Sequence, residues 1–203
     1  WGDKTLSICA KYVTKGQKNS CVATPVTTSS CFDDVLKEND VRIVHTMVGS
    51  PLVARAMIEN NCIFGGEENG GLIFPEMQHT RDSLMAIAKI LEIMAKEEKK
   101  LSELVEEIPK YFVCKTKISC PNEKKNSVMK NVLDKAKGVG EIISVDNTDG
   151  IKLYVEGGWV LMRASGTEPI FRVYAESKNE KKSHELAQKY KKLAEELISE
   201  INF

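Results

Sequence analysis

The feature that most constrains this chain is a change of rhythm near its middle. Up to about residue 108, short apolar runs alternate with helical periods. The runs are Cys21-Val22-Ala23-Thr24-Pro25-Val26, Val41 to Thr46 and Cys62-Ile63-Phe64. Between them lie stretches whose apolar residues recur at helical spacing. Residues 3–14 carry Leu6, Cys9, Ala10 and Val13, with Asp3 placed to cap. Residues 31–39 carry Phe32, Val35 and Leu36 behind Ser29 or Ser30 as cap. Residues 51–60 carry Leu52, Val53, Ala56 and Met57, and Pro51 suits a first turn. A long helix opens at Arg81-Asp82-Ser83 and runs to about 97, with Leu84, Ile87, Ala88, Leu91 and Met94 expected inward. A second helical piece covers 101–108. Strands alternating with helices predict a parallel sheet of βαβ units.

Past Pro109 the pattern becomes strand-rich. A strand over 111–119 precedes a helix over 123–137. Strands follow at 141–145, 151–156, 159–163 and 170–176, separated by the turn signals Asn147-Thr148-Asp149-Gly150 and Gly157-Gly158. A helix over 180–200 closes the chain, with Leu186, Tyr190, Leu193, Ala194 and Leu197 as its apolar face. The expected fold class is α/β plus α+β. A βαβ domain with a mixed or parallel sheet, 1–110, precedes a smaller domain of antiparallel sheet and helix, 111–203.

Composition narrows the function. The formal net charge is zero, so no basic field points to nucleic acid. No apolar run has the length of a membrane span, and the first residues do not read as a secretory signal. Six cysteines, none in a CxxC pair, lie mostly in apolar segments. They read as buried free thiols in a reducing, cytoplasmic compartment. His45, His79 and His184 are far apart, which argues against zinc.

Two loops carry chemical promise. Gly65-Gly66-Glu67-Glu68-Asn69-Gly70-Gly71 sits between apolar runs. Glycine permits a tight turn, and Glu67, Glu68 and Asn69 at the tip would offer acceptors to a hydroxyl-rich ligand. A hairpin turn with solvated acids is the other reading. In a parallel sheet this loop would share the carboxyl edge with the loops after Val26 and Thr46, where ligands bind. The second loop is Arg163-Ala164-Ser165-Gly166-Thr167-Glu168-Pro169. Arg163 suits phosphate oxygens, Ser165 and Thr167 supply hydroxyls, and Gly166 would expose N–H groups in a nest. A plain turn with an incidental arginine is the alternative. No P-loop is present.

Together these motifs resemble the C-terminal half of the α-D-phosphohexomutases, and the resemblance runs along the whole chain. Gly66-Glu67-Glu68-Asn69-Gly70 resembles the family's sugar-recognition loop, and 163–169 its phosphate-binding loop. Thr46-Met47-Val48-Gly49 resembles a second sugar-site loop, and Asp149-Gly150 the turn before the last domain's sheet. The resemblance implies sugar contacts from Glu67, Asn69, Gly49 and Ser50, and phosphate contacts from Arg163, Ser165, Gly166 and Thr167. His45, His79, Arg81 and Arg172 read as structural, with Arg172 a candidate support for the phosphate loop and Glu168 a brace.

The family's catalytic serine loop and its magnesium loop have no counterpart here. The resemblance therefore implies no catalytic or metal-binding residue in this chain. The phosphoserine, the Mg2+ and the hexose bisphosphate intermediate belong to a full enzyme, whose N-terminal domains would be partners. The implied activity is interconversion of hexose 6- and 1-phosphates. The form Gly65-Gly66-Glu67-Glu68-Asn69-Gly70-Gly71 resembles that of archaeal phosphoglucosamine mutases and of broad phosphomannomutases and phosphoglucomutases. That implies glucosamine phosphate as the favoured hexose phosphate, with mannose and glucose phosphates also accepted. Asn69, which donates as well as accepts, does not exclude an amino sugar. The isolated chain is expected to lack mutase activity. A non-catalytic sugar-phosphate-binding module or pseudoenzyme is the alternative, and a purely structural protein a third. Assembly into a homo-oligomer stays open.

Overall fold

A computed structural model describes residues 1–138 and 140–201, with the side chain of Glu38 left undescribed. The chain divides into two compact units, Trp1–Lys110 and Tyr111–Phe203. Among the described residues no helix is long and apolar enough to cross a membrane.

The first unit holds α1 (Gly2–Val13), β1 (Cys21–Pro25), α2 (Ser30–Leu36), β2 (Arg42–Thr46), α3 (Ser50–Asn60), β3 (Phe64–Gly66), β4 (Leu72–Ile73), α4 (Ser83–Glu97) and α5 (Leu101–Glu106). Its sheet has the order β2-β1-β3-β4. β1 runs parallel to both β2 and β3, while β4 returns antiparallel on β3. Every residue of β1 is buried, as expected of a strand covered on both faces. Cys21 and Ala23 join Val53, Met57, Cys62 and Ile73 in the cluster beneath α3. Helix α1 covers the other face. The two strand glycines explain how both helices come so close. A Cβ on Gly65 would lie 2.4 Å from Met57 Sδ of α3, and one on Gly66 would lie 2.8 Å from Leu6 Cδ1 of α1.

Three local expectations change. Asp3 does not cap α1, which starts one residue earlier behind Trp1. Asp3 is buried, and its Oδ1 instead accepts the Ser29 N–H at 2.9 Å, tying α1 to the cap of α2. Strand β3 starts two residues later than the apolar run, because the Cys62 N–H is still satisfied by Met57 O of α3. Helix α4 presents a different face. Ala86 and Ile93 are its buried residues, whereas Leu84, Ile87 and Leu91 are 80%, 59% and 58% exposed. The helix carries two apolar stripes, and the one with Ala86 and Ile93 is the buried one, in a helix that packs on α1 and α5.

The second unit holds β5 (Phe112–Ser119), α6 (Asn122–Lys137), β6 (Ile142–Asp146), β7 (Ile151–Val155), β8 (Gly158–Ala164), β9 (Ile170–Ser177) and α7 (Glu180–Glu200). Its sheet is antiparallel throughout, in the order β5-β9-β8-β7-β6. Val128, Val132 and Ala136 of α6, with Leu186, Tyr190, Leu193 and Leu197 of α7, pack on Leu153, Val160, Met162, Phe171 and Val173. Each of the Val, Leu, Met and Phe side chains among them contributes about 1.5–3 kcal/mol on burial. The predicted apolar face of α7 is the one buried, and Asn179 caps it by accepting the Lys182 N–H at 3.0 Å. The other sheet face buries Trp159, whose Nε1–H donates to Glu176 Oε1 at 2.7 Å. The Lys152 ammonium lies 4.2 Å from the centre of the Trp159 ring.

Candidate functional site

In the first unit, the parallel pairing sets the carboxyl ends of β1, β2 and β3 side by side, so the loops after Pro25, Thr46 and Gly66 share one edge. The glycine loop there is a tight hairpin. Gly70 N donates to Glu67 O at 3.0 Å, and Glu67 N donates to Gly71 O at 2.9 Å. Gly70 takes φ 95°, the left-handed residue that closes such a turn. The Asn69 side chain accepts the Gly71 N–H at 3.0 Å, and Asn69 itself is exposed.

The three polar residues of this loop differ in setting. Glu67 is not at the tip but at the base, only 4% exposed, and Glu68 is half-buried. Burial pushes the Glu67 carboxyl above its ordinary pKa, and Glu68 adds to the rise. Arg81 opposes it most strongly, with Nη1 at 3.5 Å from Glu67 Oε2. The Gly49 backbone and the Asn69 side chain also favour its charged form. The structure thus brings Gly49, Glu67 and Asn69 together. Ser50 stands beside Gly49 as the first residue of α3, half-buried. Glu68 is held from the β1 loop, where Thr27 Oγ1 donates to Glu68 Oε2 at 2.9 Å.

Sequence reasoning set Arg81 aside as structural and did not single out Thr27 or Gly2. Arg81 lies across the loop: a Cβ on Gly71 would fall 2.2 Å from Arg81 Cδ. Gly2 lies beneath it, where a Cβ would fall 2.2 Å from Gly70 N and 2.4 Å from Glu68 O. His45 pairs with Asp33 at 3.0 Å, and His79 is exposed. A cavity of about 220 Å³ between α1, α4 and α5 is lined by Ile8, Tyr12, Ile93, Leu104 and Ile108. None of its lining residues belongs to the loop cluster, so it is separate from it.

In the second unit, the 163–169 loop joins β8 to β9. Arg163 is anchored, its Nε donating to Asp149 Oδ2 at 2.7 Å. Ser165 is buried, while Gly166, Thr167 and Glu168 are exposed. Ser165 Oγ accepts the Glu168 N–H at 3.2 Å, and Ser165 N donates to Ile170 O at 3.0 Å. No residue from 163 to 168 has positive φ, so this turn does not take the right-handed–left-handed form of a nest. Arg172 pairs with Glu168, bracing the loop from β9. One contributor was invisible in the sequence. Lys125 of α6 donates from Nζ to Ser165 O at 2.5 Å and to Glu168 O at 2.6 Å, which turns a cation toward the loop's carbonyl side. Among the described residues no group of three or more His, Cys, Asp or Glu could hold a metal ion.

Comparison with known proteins gives this geometry a family. Residues 1–112 match the family model of phosphoglucomutase/phosphomannomutase alpha/beta/alpha domain III, and residues 116–193 match the model of the C-terminal domain. A phosphoglucomutase/phosphomannomutase of Thermococcus kodakarensis is 45% identical over 97% of this chain and 42% of its own length. A phosphoglucosamine mutase of Methanocaldococcus jannaschii is 38% identical over 97% of this chain and 44% of its own. The chain thus spans less than half the length of these curated relatives. A solved phosphoglucomutase/phosphomannomutase family protein of Burkholderia thailandensis shares the fold, with TM-score 0.82 at 19% identity over 96% of this chain and 41% of that one. The two matched models, in this order along one chain, show that it belongs to the phosphoglucomutase/phosphomannomutase family and spans the third and C-terminal domains of that fold.

Proposed function

We propose that this chain is the substrate-recognition half of a phosphohexomutase that interconverts hexose 6-phosphate and hexose 1-phosphate. Glucosamine phosphate is the preferred substrate, with mannose and glucose phosphates also used. The names of the relatives, phosphoglucosamine mutase and phosphoglucomutase/phosphomannomutase, support this reading. The observation that carries it is the setting of Glu67. A carboxylate buried at a sheet's carboxyl edge is costly to keep charged. Burial raises its pKa on balance, and Arg81, the Gly49 backbone and the Asn69 side chain pull it back toward the charged form. An ionised carboxylate beside an exposed amide suits paired sugar hydroxyls, one side accepting and the other donating or accepting.

The role of the second unit in this reading is to anchor phosphate. Asp149 occupies Nε of Arg163, which leaves the guanidinium's two amino groups as its donors to a phosphate. Ser165, Gly166 and Thr167 line the same turn. Such an anchor serves both orientations of a sugar that must present either end to one reaction centre. Positioning of this kind carries much of phosphoryl-transfer catalysis. Among the described residues no cluster of carboxylates fits a magnesium ion, and no step assigned to this chain runs through one.

The test is titration of the chain with glucosamine 6-phosphate, alongside Glu67→Gln and Arg163→Ala. Weak saturable binding that each substitution abolishes is expected. Equal binding by all three proteins would refute the assignment. Mutase turnover by the purified chain would refute the division of labour.

A further inference from the structure

Cys21 and Cys62 are 41 residues apart in sequence, yet their Sγ atoms lie 2.6 Å from each other, both residues buried. Non-bonded carbon atoms prefer about 3.5–4.0 Å, and sulfur is larger, so this is closer than two thiols rest side by side. A disulfide bond is about 2.05 Å long, so closing the gap needs only a small side-chain rotation. The backbone is already in place. Ile63 N donates to Cys21 O at 2.8 Å, so the two segments run as neighbours at this point. The register sets Ile63 opposite Cys21, so Cys62 stands one residue off that pair. A strand spacing of about 4.8 Å with a rise of about 3.3 Å gives a Cα separation of about 6 Å, inside the range that disulfides span. All six cysteines, Cys21 and Cys62 included, are free and buried in this structure.

We propose that Cys21 and Cys62 form a redox-closed cross-link, taking a low-molecular-weight disulfide as the oxidant. The thiolate of one cysteine attacks a sulfur of the oxidant and expels one thiolate, leaving a mixed disulfide. The second cysteine attacks the protein sulfur of that intermediate and expels the other. The pair loses two electrons and two protons, and the oxidant leaves as two thiols. Cys62, though only 4% exposed, borders an open groove lined by Met57, Asn61, Pro75 and His79, the side from which an oxidant would approach. Burial and the neighbouring Cys21 push the Cys62 thiol up to about 12. Few thiolates form at neutral pH, so closure in the folded chain is slow and the bridge is structural rather than a fast switch. It would tie the start of β1 to the segment that feeds β3, and so to the strand that carries the glycine loop.

The test uses the full chain, incubated with oxidised glutathione or with a phosphine reductant, then alkylated after denaturation. Intact mass should show four alkylated cysteines after oxidation and six after reduction, with a mapped Cys21–Cys62 peptide pair. The oxidised chain should melt roughly 10 °C higher, as expected for a closed loop of this length. Cys21→Ser and Cys62→Ser should each abolish the difference between the two treatments. Six reactive thiols after prolonged oxidation, a stable glutathione adduct, or a bridge between other cysteines would each overturn the proposal. None of these outcomes depends on the sugar-phosphate reading.

Discussion

Gly166→Ala is predicted to move stability and binding in opposite directions. A Cβ added at Gly166 meets no atom within 4 Å, and the residue lies outside the positive-φ region. The fold therefore places no demand on glycine here. Alanine at such a site stabilises by about 0.4–1 kcal/mol, because the unfolded chain loses freedom. For a domain of 60–100 residues each kcal/mol is worth about 4–8 °C, so the melting temperature should rise by roughly 2–8 °C. Binding should behave differently. If a phosphate oxygen approaches the exposed backbone of this turn, the new methyl stands in its path and costs a charge-assisted hydrogen bond. Such a bond is worth about 1.5–3 kcal/mol, or about tenfold to a hundredfold in affinity. Thermal denaturation and titration with glucosamine 6-phosphate, run on the same preparation, read both effects. Unchanged affinity would refute the argument that the ligand, and not the fold, requires this glycine. A lowered melting temperature would refute the steric half of it.

Four further predictions concern residues around the loops. Gly2→Ala should destabilise the first unit by about 1–3 kcal/mol through overpacking, since its Cβ would sit 2.2 Å from the pinned backbone of Gly70. A melting temperature within a degree of the parent would contradict it. Arg81→Met removes the strongest influence holding the raised Glu67 carboxyl down. Because the charged form is the one proposed to bind sugar, binding should fail at higher pH than in the parent as the solution is acidified. The sign for stability is opposite: a raised acid pKa means that folding is penalised above that pKa and relieved as pH falls through it. Glu67→Gln should therefore flatten the acid side of the stability profile, and an unchanged profile would count against the assignment. Lys125→Met should cut glucosamine 6-phosphate affinity severalfold with little change in melting temperature, and Lys125→Arg should restore part of it. Equal affinity in all three proteins would show that the loop needs no cation behind it.

Much of the fold is legible in the sequence because each element carries its own period. The α7 stripe of Leu186, Tyr190, Leu193 and Leu197 repeats at helical spacing, and those residues are the ones buried. The alternation of strands and helices before residue 108 implies parallel pairing, and parallel pairing puts the Thr46–Gly49 loop beside Glu67. Helix α4 shows where period alone falls short. It carries two apolar stripes, and only packing against α1 and α5 decides between them. For the candidate site, residue types were readable but surroundings were not. Glu67 and Glu68 are neighbours in sequence, yet one is buried against Arg81 and the other is held by Thr27 from a loop 41 residues away.

The sequence alone determined the order of elements, the two kinds of sheet and the two glycine-bearing loops, because those depend on interactions within a few residues. Tertiary structure decided what surrounds them. It set Gly2 beneath the hairpin, Arg81 across it and Lys125 behind the 163–168 turn, and it brought Cys21 to Cys62. Each of these is a contact between segments far apart in the chain. Burial, charge pairing and thiol proximity depend on distance in space, which local pattern does not encode.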